Sequence, residues 1–377
     1  MAGIYIHIPF CKQACVYCNF HFSTSLKLKD RLIDAIIAEI HIRKDYLKTK
    51  NIQSIYFGGG TPSILHAEDI GRILETLSMY FSWNSTCEIT LEANPDDITA
   101  EKVKSYIHLG INRLSLGIQS FHDEDLRFMT RAHNSLQAEN SIKVIQDAGI
   151  NNMTIDLIYG CPTTSNDMWS DNLEKFISFE IPHLSSYCLT VEQKTALHHM
   201  VKSGKTEMPD ETRAIEQFEI LMDFAESAGF EHYEISNFAK KGFISTHNSN
   251  YWRSVPNLGV GPSAHSFDGH SRSWNIANNP LYIKLVSNND IFSETEVLTP
   301  EEKYNEHIMT RIRTQWGVNV EELSRHYGDT ALHHFIQEIQ KPLTIGWVSD
   351  INNTYILTKK GKLFADRIAS ELFMEVH

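Results

Sequence analysis

The sequence predicts an α/β fold built on a parallel sheet, and two observations carry this. Short apolar, β-branched or aromatic runs alternate about six times with longer helix-like segments over roughly the first two hundred residues. That is the pattern of strand–helix–strand units joined by right-handed crossovers. The composition, 42% hydrophobic and 21% charged over 377 residues, supports a full core, with length enough for one large domain and a smaller one.

The strand candidates are GIYIHI (3–8), SIYF (54–57), EITLEA (88–93), RLSLGI (113–118), MTIDLIY (153–159) and HLSSYCL (183–189). Helical periodicity fills the intervals at 29–47, 67–81, 99–109, 135–148 and 166–179, and recurs at 211–228. Thr99, with Lys102 beyond it, and Ser135, before an apolar run, read as helix starts. An open doubly wound sheet and a curved partial barrel both fit this order. In either, the functional site lies at the C-terminal ends of the strands. The character changes near residue 235: residues 236–299 are loop-rich, punctuated by Gly, Pro, Asn and Ser. From 300 to 377 helical patterns return at 301–314, 320–327 and 330–341, followed by strand, Asn-Asn turn, strand and helix. The expected organisation is therefore 1–235, 236–299 and a winged-helix-like 300–377.

The net charge of −13 argues against a nucleic-acid binder, and residues 301–377 carry nine Lys/Arg against eleven Asp/Glu, so the wing reads as a docking or lid element. No apolar run is long enough to span a bilayer, and MAGIYIHIPF is too short and uncharged to be a signal peptide. These features point to the cytoplasm. Cys87, Cys161 and Cys188 are scattered and read as buried small hydrophobes in a reducing compartment.

The other three cysteines are different. Cys11, Cys15 and Cys18 lie within eight positions directly after the first strand. Three readings compete: unligated thiols, a structural zinc completed by His7 or His21, and a [4Fe–4S] cluster held by three thiolates. Three protein ligands leave one iron open to a small-molecule chelate. Other strand ends carry polar groups at the same rim. YFGGGTP (56–62) offers Gly59, Gly60 and Thr61, where the backbone can approach a ligand closely. LEANPDD offers Glu92, suited to ribose hydroxyls. Gln119 ends strand four, Arg131 follows in MTRAH, and Asp156 sits among apolar neighbours in strand five.

The spacing C-x3-C-x2-C after a first strand resembles the radical S-adenosylmethionine (SAM) superfamily. The segments YIHIPFC, GGGTP, EANP, GIQSF, RAH and DLIYG are similar to its oxygen-independent coproporphyrinogen III oxidase branch, from residue 3 to about 267. The resemblance implies a partial (β/α)6 barrel with a small C-terminal helical, winged-helix-like domain. It also implies a [4Fe–4S] cluster on Cys11, Cys15 and Cys18, and SAM contacts from Tyr5, Tyr17, Gly59, Gly60, Thr61, Glu92, Gln119, Arg131 and Asp156. Two features depart from the oxidases: Phe20 stands where they extend the motif with a fourth cysteine, and the first strand starts almost at Met1, without their N-terminal extension.

HNSNYW (247–252) points elsewhere. His247 has the chemistry of a haem-iron ligand, and Tyr251 and Trp252 offer flat apolar area. H-N-x-x-Y-W together with C-x3-C-x2-C-x-F resembles the HemW-type haem chaperones. That resemblance implies haem as cargo, held by His247, Asn248, Tyr251 and Trp252, with His265 of GPSAHSF a lesser candidate. It implies delivery to apo-haemoproteins, an electron donor for the cluster, and a homodimer as one way to cap an open iron. No basic amphipathic stretch marks a membrane surface, so contact at the inner membrane is expected through a protein partner. The rival reading is oxidative decarboxylation of coproporphyrinogen III.

Overall fold

The computed structural model describes residues 1–376. Six parallel strands form its centre: β1 (Ala2–Ile8), β2 (Ile52–Gly59), β3 (Glu88–Ala93), β4 (Arg113–Gln119), β5 (Met153–Tyr159) and β6 (His183–Cys188). They pair in sequence order, each neighbour parallel to the last. Helices Lys29–Ile42, Ala67–Ser78, Ala100–His108, Ser135–Asp147 and Asn166–Ser178 make the crossovers. All six strands and these five helices lie where the periodicity places them. Thr99 caps its helix by accepting from the Lys102 amide, whereas the cap of the next is Asn134, one residue before the expected Ser135. The partial (β/α)6 barrel is thus the fold.

Strand alternation sorts side chains by face. In β1, Ile4, Ile6 and Ile8 are fully buried and share one core cluster with Leu32, Ile33, Ile36 and Ile40 of the first helix. Tyr5 and His7 point to the other, concave side. That side is polar along its length: Ser54, Thr90, Arg113, Thr154 and His183 are all buried. A barrel interior lined this way is arranged to hold polar groups, not to be filled with hydrocarbon.

The stretch 236–299 is more regular than its composition suggests. β7 (Glu231–Glu234) and β8 (Asn237–Ala239) extend the sheet beyond β6. β9 (Asn257–Val260) runs parallel to β1, and β10 (His265–Phe267), β11 (Ser271–Asn275) and β12 (Ser293–Val297) continue outward, giving twelve strands in all. Strands of three to five residues, rich in Gly, Ser and Asn, leave too little periodicity to be read from sequence. Buried Glu39 fastens this extension to the first helix. It accepts from the Gly261 amide at 2.7 Å, from Asn275 at 2.7 Å and from the Tyr282 hydroxyl at 2.5 Å.

Residues from 300 onward form a second hydrophobic cluster around Ile308, Leu323, Phe335, Ile339 and Ile368. Helices Pro300–Ile312 and Val320–Glu338, the latter broken at Gly328 (φ 80°), precede β14 (Val348–Ile351), a turn with Asn352 and Asn353 left-handed, β15 (Thr354–Leu357) and two short helices. With β13 (Val318–Asn319) the hairpin makes a three-stranded sheet, the winged arrangement expected. The Gln315 amide donates to Tyr233 O at 2.9 Å, and Arg272 pairs with Glu306 at 2.7 Å, seating this body against the large sheet.

Candidate functional site

A cavity of about 470 Å³ opens at the C-terminal ends of β1–β6, within the size range of small-molecule sites. Its wall brings together Cys11, Cys15, Cys18, Tyr17, Gly59, Gly60, Thr61, Glu92, Gln119, Arg131 and Asp156. Of the residues expected around SAM, only Tyr5 lies elsewhere: its ring sits below, stacked 6.1 Å from Tyr56.

The three cysteines are carried by the loop leaving β1. This loop is tied down by its backbone, with Cys11 N donating to Ser23 O at 3.1 Å and Val16 N to Met129 O at 3.3 Å. The glycine run after β2 meets the same loop. Gly60 N donates to Ile8 O at 2.9 Å and Thr61 N to Phe10 O at 2.7 Å, and a Cβ on Gly60 would lie 2.7 Å from Phe10 O. Gly59, at φ 107°, donates its amide to Glu92 at 3.2 Å. The amides of Gly59, Gly60 and Thr61 are therefore spent inside the protein.

The thiols sit beside polar neighbours suited to thiolates. Arg131 Nη1 is 3.3 Å from Cys15 Sγ, and the Thr61 hydroxyl donates to Cys11 Sγ at 3.6 Å. Arg131 Nη2 donates to Asn94 Oδ1 at 2.7 Å and to Gly117 O at 2.8 Å, while its buried Nε–H has no partner. An orphaned buried donor on the guanidinium that reaches Cys15 fits an anionic sulfur-rich body nearby. Burial, joined by the neighbouring Cys18 and Cys15 and opposed by Thr61 and Arg131, pushes the Cys11 thiol up to about 11, so a bound metal is what would hold it as thiolate. The zinc geometry does not form: His7 Nε2 is bonded to His21 O at 3.0 Å and His21 Nε2 to Asn279 at 2.7 Å. Among the described residues no three His, Cys, Asp or Glu side chains converge to hold a single ion.

Two half-buried carboxyls, Glu92 and Asp156, line the same cavity. Burial pushes Glu92 up to about 7, although the Tyr56 hydroxyl donates to it at 2.8 Å. Burial likewise raises Asp156 to about 6, against hydrogen bonds from Ser185 and Ser115. Asn94, Ser115, Gly117, Tyr187 and Cys188 also line the cavity. The period-2 rule applied to Gln119 would have found Ser115 and Gly117 on the same face of β4. Cys188 is exposed in the cavity wall, not a buried hydrophobe, whereas Cys87 and Cys161 are buried as expected. Phe20, where the oxidases have cysteine, is 68% exposed at the rim.

HNSNYW is not part of this cavity. It forms the helix Thr246–Trp252, whose first amides are capped by Glu88: Thr246 N and His247 N each donate to it at 2.9 Å. His247 is buried, with Nδ1 2.9 Å from the Ser54 hydroxyl and Nε2 3.1 Å from the Tyr251 hydroxyl. Its ring stacks on Tyr56 at 4.8 Å, and burial with the nearby Arg113 lowers it to about 3, so it is neutral. In this structure both ring nitrogens of His247 have protein partners inside the barrel. Asn248 and Trp252 are half-buried, and Tyr251 is partly exposed at the helix face.

Comparison with known proteins fits this site. The radical SAM superfamily pattern matches residues 5–176, and the HemN C-terminal domain matches 298–364. Heme chaperone HemW from Bacillus subtilis is 30% identical, covering 98% of both chains. The HemW of Lactococcus lactis is 32% identical over 86% of this chain and 84% of its own. This chain belongs to the HemW family. Coproporphyrinogen III oxidase (HemN) from Escherichia coli superposes with a TM-score of 0.86 over all of this chain and 90% of its own, at 20% identity, which establishes a shared fold. The radical SAM superfamily implies a [4Fe–4S] cluster and SAM. Among the described residues no helix is long and apolar enough to cross a membrane.

Proposed function

We propose that this protein is a haem chaperone that binds haem and delivers it to apo-haemoproteins, with a [4Fe–4S] cluster and SAM in the cavity above β1–β6. The observation that carries the reading is the near end-to-end likeness to proteins named heme chaperone; likeness to the oxidase is one of fold. The exposed Phe20 in place of a fourth motif cysteine supports the same choice.

When bound, a three-thiolate cluster supplies an open iron for the amino and carboxylate groups of SAM and an electron for its sulfonium. The protein's own part is positioning. Cys11, Cys15 and Cys18 hold the cluster, and Arg131, fixed by Asn94 and Gly117 O, offsets its negative charge. With the amides of Gly59–Thr61 already bonded and the Thr61 carbonyl accepting from Ile64 N, the carbonyl oxygens of Gly59 and Gly60 are the groups left to accept from a methionine amine. Glu92 and Asp156 take hydroxyl or cationic groups deeper in the cavity, and Gln119 and Tyr17 complete its wall. Recipient proteins, an electron donor, a homodimer and contact at the inner membrane through a partner belong to this same proposal.

The test is anaerobic reconstitution followed by two assays: transfer of bound haem to an apo-haemoprotein, and consumption of coproporphyrinogen with SAM and reductant. Stoichiometric haem uptake and transfer without decarboxylation is the expected result. Turnover of coproporphyrinogen would reinstate the oxidase.

A further inference from the structure

A reducible cluster has to receive its electron from outside, and where that electron enters rests on the cofactor and electron donor proposed above. The chain carries a net charge of −13, so most of its surface repels a negatively charged carrier. Two stretches reverse that sign. Residues 1–29, which include the whole cysteine loop, contain no Asp or Glu, and neither do residues 193–206. The first holds Lys12, Lys27 and Lys29; the second holds Lys194, Lys202 and Lys205 together with His198 and His199.

The fold brings the second stretch onto the first. After β6 the chain returns to the cysteine loop as a strap, residues 190–206, which carries the short helix Ala196–Lys202. Leu197 N donates to Val16 O at 2.7 Å, and Val16 stands between Cys15 and Cys18. Leu197 is fully buried, and Val191 and Val201 pack with Val16 and Tyr17 against the same small cluster. Thr195 starts the helix by accepting from His198 N at 3.2 Å. With Leu197 and Val201 turned inward one helical turn apart, His199 and Lys202 fall on the outer face, and both are exposed. Lys194 and Lys205 are exposed at the two ends of the helix. An open surface hollow is lined by His199, Met200, Lys202, Ser203 and Lys205.

The lysines of the two stretches differ in what they meet. Lys12 is paired with Asp96 and Asp97, and Lys29 with Asp30 and Asp69. Lys194, Lys202 and Lys205 have no ion-pair partner among the described residues. Carboxylates flank the patch without entering it: Glu192 at the cavity rim, then Glu207, Asp210 and Glu211 where the next helix begins. The strap lacks the apolar face of a membrane-surface helix, since its helix has seven residues and its apolar side is already buried against the loop. Unpaired positive charge on an acidic chain, bonded to the residue between two of the cluster cysteines, suits the charge-steered arrival of an electron carrier.

We propose that the strap, through Lys194, Lys202 and Lys205, is the docking surface for an acidic one-electron carrier protein. The docked carrier loses one electron and the cluster gains it, with no bond made or broken. The Leu197–Val16 hydrogen bond offers the short path inward to the cysteine backbone. The interface is of the small, transient kind, on the order of 1,200 Å² or less.

Reduced flavodoxin, an acidic flavin protein, is the probe, added to full-length reconstituted protein. Calorimetry reads its affinity and stopped-flow absorbance reads how fast it reduces the cluster; photoreduced deazaflavin, a small donor, gives the rate without docking. In the triple variant Lys194→Glu, Lys202→Glu, Lys205→Glu, flavodoxin affinity and rate should fall about tenfold or more at low salt, and the parent should lose the same advantage as salt is raised. Iron content and the deazaflavin rate should stay parental, and Lys284→Glu, on an outer helix, should change neither readout. If charge reversal unfolds the strap, the triple Gln variant takes its place. Equal flavodoxin affinity and rate in parent and variant overturns the proposal, and so does a loss that appears equally with deazaflavin, which would make the strap structural only. Phosphatidylglycerol vesicles that bind the parent and not the variant, with flavodoxin-driven reduction unchanged, would assign the patch to a membrane surface instead. A parent that holds no reducible cluster refutes the cofactor reading itself.

Discussion

Replacing Glu92 by Gln separates the cost of burying a carboxyl from the use made of it. The fold raises this group from 4.5 to about 7, chiefly through burial and also through Asp156. A carboxyl whose folded value is raised binds protons more tightly in the native state, so stability falls as pH rises from about 4.5 to about 7 and stays low above that. At about 1.4 kcal/mol per pKa unit, the full difference is about 3 kcal/mol at pH 8 and under about 1 kcal/mol at pH 5. Gln retains both contacts: its carbonyl accepts from Gly59 N and its amide donates to the Tyr56 oxygen. Glu92→Gln should therefore gain stability over the parent in SAM-free protein, by about 2 kcal/mol or more between pH 5 and pH 8. Urea midpoints at several pH values measure this. The same variant should bind SAM roughly ten- to a hundredfold more weakly, as expected for losing a hydrogen bond to a charged group. A stability gain that does not change with pH would sink the burial argument, and unaltered SAM affinity would remove Glu92 from the binding wall.

Three further substitutions test particular contacts. Gly60→Ala puts a Cβ 2.7 Å from Phe10 O and 2.8 Å from Ile8 O. Backbone cannot yield as a side chain can, so the variant should lose about 1–3 kcal/mol and retain less iron, read by thermal melting and metal analysis. Cys18→Ser should drop bound iron well below that of the parent after identical reconstitution, whereas Cys87→Ser, away from the cavity, should not. Phe335→Ala, at the centre of the C-terminal cluster, should cost about 3–5 kcal/mol and melt that body while the cluster absorbance of the barrel persists.

What was legible in the sequence was what repeats or is chemically rare. Six strands with period-2 patterning announce a parallel sheet, and three cysteines in one loop announce a cluster. Strand ends then named the cavity wall, because a parallel sheet puts them at one rim. The missed features are local. β8, β9 and β10 are three or four residues long and take their strand character from pairing with neighbours, not from composition. Cys188 looked like the other scattered cysteines, yet as the last residue of β6 it reaches the rim, where Cys87, just before β3, is buried at the other end. The setting of His247 was hidden for a related reason. Sequence shows that an imidazole is present but not which partners its nitrogens already have.

The helix carrying HNSNYW acts as a floor. Its His-x-x-x-Tyr spacing puts His247 and Tyr251 one turn apart on one face, where they bond each other. Asn250 reaches the same Ser54 hydroxyl, and His247 supports the ring of Tyr56, whose hydroxyl holds Glu92 in the cavity wall. Removing the imidazole leaves Ser54 and Tyr251 short of a partner and takes the support from beneath Tyr56, so His247→Ala disturbs the cofactor cavity from below, whatever else the residue meets. Loss of haem in that variant would therefore not place the iron on His247. SAM affinity tests this: it should fall in His247→Ala and hold in Cys87→Ser, each measured by calorimetry on cluster-loaded protein. If both variants keep parental SAM affinity, the floor does not support the wall, and the motif acts elsewhere.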